Sequence, residues 1–343
     1  MSKRVALVLG SGGARGYAHI GVIEEIERRG YQIACIAGCS MGAIVGGVYA
    51  AGKLEHYRHW IERLDYLDVL RLLDVSFRLG AIRGEKVFGQ LRRIIGEVNI
   101  QDLPIPYTAV ATDLTNQQEI WFQEGCLHQA MRASAAIPSL FTPVQQGHRV
   151  LVDGGLLNPL PIVPVVSSHC DLIVAVNLNA TNHKQYALPV VERPPAFKGR
   201  FNKLVGSLGS HLPLRRRPAE AVLAMEQGAS TLPAGWNGEA PALTLAPPPD
   251  TQDEGAPASA SDSVIIENVG PASLLDLINQ SFEVMQTSLA QYKIAGYPPD
   301  VLINVPKKAC RFFEFYRAPE LIALGRQIAR DTFDAYEKGG NGR

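Results

Sequence analysis

The stretch Ile33-Ala34-Cys35-Ile36-Ala37-Gly38-Cys39-Ser40-Met41-Gly42-Ala43-Ile44-Val45-Gly46-Gly47-Val48-Tyr49-Ala50-Ala51 decides how the chain is read. An apolar run at Ile33–Ala37 predicts a buried strand, and Met41–Ala51 predicts a helix of small and apolar residues. Between them lies Gly38-Cys39-Ser40-Met41-Gly42, a Gly-x-Ser-x-Gly sequence in the strand-to-helix context of a nucleophile elbow. The sharp turn strains the serine, and glycines on both sides prevent collision. The hydroxyl then projects at a helix N-terminus, where N–H groups and the helix dipole favour a developing negative charge. The same residues contain a trap. Tyr31–Gly52 is 22 residues without a charge, the length of a membrane span. Five glycines, Gln32 and Ser40 lie inside it, which favours strand, turn and helix over a span.

On either side the pattern repeats. Val5–Leu9 reads as a strand, Gly10–Gly16 as a glycine loop, and Ala18–Arg29 as a helix with Ile20, Ile23 and Ile26 on one face and Gly30 as its stop. Lys53–Leu73 reads as one helix with Trp60, Leu64, Leu67 and Leu70 as its apolar stripe. Strands are predicted at Tyr107–Thr112, Glu119–Phe122, Arg149–Val152 and Leu172–Val176, and a short helix at Cys126–Ser134. Alternating strands and helices imply an α/β layered fold with a mostly parallel central sheet flanked by helices.

Composition narrows the function. Of 343 residues 46% are hydrophobic and 19% charged, enough for a sizeable core. Thirty-three basic and 33 acidic side chains cancel, which argues against bulk nucleic-acid binding. Cys35, Cys39, Cys126, Cys170 and Cys310 are odd in number, scattered and without a CxxC pair, so neither a zinc site nor a disulfide framework is suggested. No metal or organic cofactor is implied, and a reducing, cytoplasmic compartment fits. The apolar run after Lys3 and Arg4 is too short for a signal peptide.

Gly10-Ser11-Gly12-Gly13-Ala14-Arg15-Gly16 fails both nucleotide motifs, because Arg15 stands where a dinucleotide fingerprint needs glycine and no Gly-Lys-Ser/Thr follows. Its consecutive glycines suit an oxyanion hole instead, with Arg15 either holding the loop or meeting an anionic headgroup. A serine nucleophile needs a base. His148, His169, His183 and His211 lie downstream in uninformative contexts. Asp153-Gly154-Gly155 directly follows an apolar run, at a strand's C-terminal end, where active sites of parallel sheets collect. A carboxylate there can accept the serine proton without histidine.

Gly12-Gly13-x-Arg15-Gly16, Gly38-x-Ser40-x-Gly42 and Asp153-Gly154-Gly155, in that order, resemble the patatin-like phospholipases, most closely bacterial proteins similar to the catalytic domain of neuropathy target esterase. Ala133-Ser134-Ala135-Ala136-Ile137-Pro138 also matches a segment of these proteins, and the resemblance covers roughly residues 3–179 with a weaker echo over 274–336. It implies hydrolysis of lipid acyl esters by a Ser40–Asp153 dyad, with an oxyanion hole from Gly12, Gly13, Ala14, Arg15 and Gly16. An ordinary Asp pKa of about 3.9 makes a weak base, so desolvation is expected to raise it. Two rivals stand beside this reading: a silent lipid-binding protein on the same fold, and a triad esterase or thioesterase using a downstream histidine.

Arg193–Arg217 holds seven basic residues and no acidic ones, while residues 231–263 are rich in Pro, Ala and Gly and read as a linker. Helices over Ser273–Gln291 and Pro319–Tyr336 and a strand at Val301–Val305 are expected to complete one domain, with a core of about 3–180 and 264–337 and an insertion over about 193–263. As a helix, the stretch 197–217 would set Phe197, Phe201, Leu204, Leu208 and Leu212 on one face beside Lys198, Arg200 and Lys203. That arrangement predicts peripheral contact with anionic membrane.

Overall fold

The computed structural model of the chain describes residues 2–72, 75–76, 81–82, 84–138, 140–181, 186–191 and 274–340. Contacts group the chain into two units, Met1–Phe197 with Gln280–Arg343, and Lys198–Asn279. Of the second unit, only the start of one helix is described. The predicted basic helix, His183 and His211 lie outside the described residues.

Five strands form the parallel part of the sheet: β1 (Arg4–Leu9), β2 (Gln32–Cys39), β5 (Tyr107–Asp113), β9 (Leu172–Ala180) and β10 (Val301–Pro306). With β6 (Gln118–Phe122), β7 (Val144–Gln146) and β8 (Arg149–Asp153) they make an eight-stranded sheet in the order β10-β9-β1-β2-β5-β8-β7, and β6 pairs with β5. A separate two-stranded ribbon joins β3 (Val75–Ser76) to β4 (Ala81–Ile82). The parallel strands are covered on both faces, which is why Val5–Leu9 reads as an unbroken apolar run: all five residues are fully buried. Each buried Leu or Val contributes about 1.5–3 kcal/mol.

The helices are α1 (Ala18–Arg28), α2 (Met41–Ala50), α3 (Leu54–Ile61), α4 (Tyr66–Leu72), α5 (Glu85–Ile95), α6 (Leu127–Ser134), α7 (Leu274–Gly296) and α8 (Ala318–Gly340). The uncharged stretch that mimics a span is therefore β2 and α2. Among the described residues, no helix is long and apolar enough to cross a membrane. Helix α8 packs along α1, and Arg29 ties the pair by ion pairs to Glu25, Asp334 and Glu337.

The single helix expected over Lys53–Leu73 is instead two. The Asp65 carboxylate accepts the Asp68 N–H at 2.7 Å and the Asp65 carbonyl accepts from Val69, so a new helix begins there. Leu67, assigned to the apolar stripe, is exposed, and among the described residues of the two helices Tyr57, Ile61 and Val69 are buried.

The sheet has one reversal that places the site. Residues Ala109–Asp113 of β5 pair with β6 along one edge. Along the other edge, Tyr107–Val110 pair in parallel with Ile36–Cys39 of β2, and Ala111–Asp113 pair in antiparallel register with Asp153–Leu151 of β8. Strands β2 and β8 thus share one edge of β5 and meet end to end. Cys39 stands opposite Val110 and Asp153 opposite Ala111.

Candidate active site

That meeting point brings Ser40 and Asp153 together. Asp153 does lie at the end of its strand, but the rule for parallel sheets does not put it there. Strand β8 runs against β5, and register alone delivers the carboxyl beside the elbow.

Ser40 takes φ 57° and ψ −122°, a conformation rare for a residue with a side chain. Close approach of backbone enforces it: a Cβ on Gly38 would stand 2.4 Å from the Gly42 carbonyl oxygen, and one on Gly42 would stand 2.1 Å from that of Leu9. The Ser40 carbonyl accepts from Ala43 and Ile44, starting α2. Its N–H donates to Ser134 Oγ at 2.9 Å, and that hydroxyl donates to the Val110 carbonyl at 2.6 Å. Two residues on, the Ala136 carbonyl accepts the Asp153 N–H at 2.9 Å. The Ala133–Pro138 segment therefore clamps both strand ends. Ser134 was quoted in the sequence only as part of a matching segment, and nothing in its neighbourhood there signals a bond to Ser40.

Asp153 is fully enclosed, and burial raises its carboxyl to about 7, against smaller lowering by the Ser40 hydroxyl and the Gly155 N–H. Oδ1 accepts that N–H at 2.7 Å. Oδ2 has no hydrogen-bond partner among the described residues, and the nearby Ser40 hydroxyl acts to lower the carboxyl's pKa. A buried, underpartnered carboxyl beside a strained serine can act as a proton acceptor.

The glycine loop ends in a 3₁₀ turn over Gly13–Tyr17. Gly13 has φ +56°, and a Cβ there would meet the Phe312 carbonyl oxygen at 2.7 Å. The Ala14 N–H is taken by that same carbonyl at 2.9 Å, which removes it from any oxyanion hole. The Gly12 and Gly13 N–H groups donate to no protein acceptor among the described residues. Arg15 is buried, and of the two roles open to it its contacts are those of holding the loop. Its buried guanidinium donates to the Gly12 carbonyl (3.1 Å), the Lys307 carbonyl (3.0 Å), Asn179 Oδ1 (3.4 Å) and Glu283 Oε1 (2.9 Å). Burial lowers its pKa, and Glu283 works against that. Helix α7 also brings buried Gln286 against Gly155, where a Cβ would stand 2.2 Å from its Nε2 and 2.9 Å from Asp153 Oδ1. Nothing around Gln286 in the sequence distinguishes it.

An apolar pocket opens on Ser40. Met41, Ile44, Trp60, Leu64, Val87, Phe88, Leu91, Ile137, Phe141 and Phe315 line it, drawn from α2, α3, α5 and the segments after α6 and β10. Among the described residues, no histidine lines it. His148 precedes β8 five residues from Asp153, about 16 Å along an extended strand, and His169 is exposed before β9, at the edge of the sheet opposite the elbow. His19 is buried under the Gly10 carbonyl, with burial driving its pKa down to about 4. Among the described residues, no three His, Cys, Asp or Glu side chains gather in a metal-binding group.

Against known proteins, the Patatin-like phospholipase family model matches residues 7–166. An uncharacterized NTE family protein of Mycobacterium tuberculosis is 42% identical over 338 residues, covering 98% of this chain and 93% of that protein. Neuropathy target esterase sws of Drosophila persimilis is 32% identical over 166 residues, 46% of this chain and 11% of that protein. The crystal structure of VipD from Legionella pneumophila overlaps at a TM-score of 0.33 and 16% identity, over 66% of this chain and 59% of that one, too loosely to define a common fold.

Proposed function

The chain belongs to the NTE family of patatin-like phospholipases, and on that premise we propose that it is a serine hydrolase of lipid acyl esters. Ser40 Oγ attacks the acyl carbonyl as its proton passes to Asp153. The oxyanion forms facing the free N–H groups of Gly12 and Gly13. On collapse, Asp153 returns the proton to the leaving alcohol, and the acyl group stays on Ser40 until water releases it as a fatty acid. A carboxylate of ordinary acidity is a poor partner for a serine hydroxyl, and a pKa near 7 narrows that mismatch. The apolar pocket receives the acyl chain.

One observation carries the reading: a strained Ser40 lies beside a buried carboxyl and opens on a pocket walled by apolar side chains. Fluorophosphonate labelling with an acyl-ester assay tests it. Wild-type protein is expected to label, and Ser40→Ala to lose both label and turnover, the latter by about 10⁶. A folded Ser40→Ala variant that keeps its turnover, or a wild type that neither labels nor hydrolyses, overturns the assignment, and the latter leaves a silent lipid-binding scaffold.

A further inference from the structure

The segment after β10 reads Lys307-Lys308-Ala309-Cys310-Arg311-Phe312-Phe313-Glu314-Phe315-Tyr316-Arg317, four aromatic and four basic residues against one acid. It borders the mouth of the Ser40 pocket: Phe315 lines the pocket, and Phe312 packs over Gly13. Its outer side stays uncovered. Phe313 is 39% exposed and stacks edge-on against Phe312 with centroids 5.1 Å apart. Helix α4 joins the same surface through Tyr66, whose ring meets Tyr316 at 5.7 Å, and presents Tyr66 and Leu67 at 52% and 49% exposure.

On the segment after β10 the charge is one-sided, while α4 sets Asp65 and Asp68 beside Tyr66 and Leu67, with Asp68 paired to Arg71. Glu314 is occupied by Arg317 and by the Arg311 N–H. Among the described residues, no acidic side chain pairs with the Lys307 or Lys308 ammonium or with the Arg311 guanidinium. A chain with zero net charge thus concentrates unpaired positive charge and exposed aromatic rings at the entrance to its apolar pocket.

We propose that this face, made by Lys308, Arg311, Phe313, Tyr66 and Leu67, is where the protein docks on an anionic bilayer. The proposal rests on the reading that the pocket receives an acyl chain. Rings and Leu67 enter the headgroup boundary while the cations meet lipid phosphates. A lipid leaving the bilayer at that point enters the pocket without crossing bulk water. A soluble acidic partner would satisfy the cations but not the exposed rings, and a second copy would set like charges against each other.

The test is sedimentation of the full-length chain with phosphatidylcholine vesicles, with and without phosphatidylglycerol. Lys308→Gln/Arg311→Gln is expected to weaken binding to the anionic vesicles on the order of thirtyfold, since each basic residue near such a surface contributes about one factor of five. Leu67→Ser/Phe313→Ser is expected to weaken it several-fold, and added salt to weaken wild-type binding. Both double variants should hydrolyse a water-soluble short-chain ester at the wild-type rate, which shows that they fold. Ser40→Ala should still bind vesicles, so failure of the catalytic reading and failure of the docking face are told apart. Binding unchanged in both double variants overturns the proposal. So does equal binding to neutral vesicles, binding to neither, loss of binding only when residues 197–217 are removed, or a Phe313-dependent dimer without vesicle binding.

Discussion

Two glycine turns face each other across the pocket floor, and they are held by different parts of the chain. The elbow at Gly38–Gly42 is fixed by nearby backbone: Leu9, the Gly38–Gly42 contact and Ser134 all belong to the first 140 residues. The loop at Gly10–Gly16 depends on distant ones. Phe312 and Lys307 lend it carbonyls, Glu283 pairs with Arg15, and Asn179 Nδ2 donates to the Ser11 carbonyl at 3.0 Å. The serine is thus built early in the chain, whereas the glycine loop is held by residues from Pro159 onward, several of them among the last sixty or so. On the proposed reading, nucleophile and oxyanion site can therefore fail separately.

Asp153→Asn tests the elbow's side with the largest expected effect, a fall in turnover of about 10²–10⁴. Its sign in stability is opposite. Burial lifts the carboxyl from 3.8 to about 7, so the native state keeps a proton that the unfolded chain gives up between those values. Wild-type stability is therefore lost as pH rises through that window and levels off above about 7. The Asn variant is spared, and the gap in Tm between the two should widen from pH 5 to pH 7.5. Wild-type kcat/KM should rise over the same range with an inflection near 7, as the base form appears. A pH-independent gap would remove the buried carboxyl from the account.

Gly13→Val breaks the loop's side and should cost about 10²–10³ in turnover, the worth of one aligned oxyanion donor. The added side chain meets the Phe312 carbonyl and a positive φ. An active, folded variant would place the oxyanion elsewhere. Glu283→Gln sharpens the contrast from far away. It leaves the elbow untouched and removes the charge facing buried Arg15, a change of about 1–2 kcal/mol for a partly exposed pair. Turnover should fall by no more than about tenfold and Tm by about 2–4 °C. If neither moves, the loop does not depend on α7.

How much of this was legible follows the same division. Gly38–Gly42 between an apolar strand and a small-residue helix could be read directly, because the elbow's constraints are local in sequence. Asp153 was found as well, although the reason offered was a parallel strand end and the actual one is the reversal of β8 against β5. The break at Asp65 is hidden because Leu67 and Leu70 continue the helical period of Trp60 and Leu64 across it, and only the Asp65–Asp68 pair marks the new start. The partners of Arg15 were out of reach. Lys307 and Glu283 lie more than 260 residues away, beyond an insertion, and no spacing rule links them.

One neighbour of Ser40 gives the pocket a chemical selectivity. Cys39 is fully buried with its Sγ 4.0 Å from Asp153 Oδ1, and burial followed by that carboxylate holds its pKa well above the usual thiol value. A thiolate would outcompete a serine hydroxyl for almost any electrophile, yet here the sulfur stays protonated and faces inward. The more nucleophilic element has been placed adjacent in sequence and silenced, so soft alkylating reagents find no thiolate beside the site, and hard acyl and phosphoryl centres are left to the oxygen.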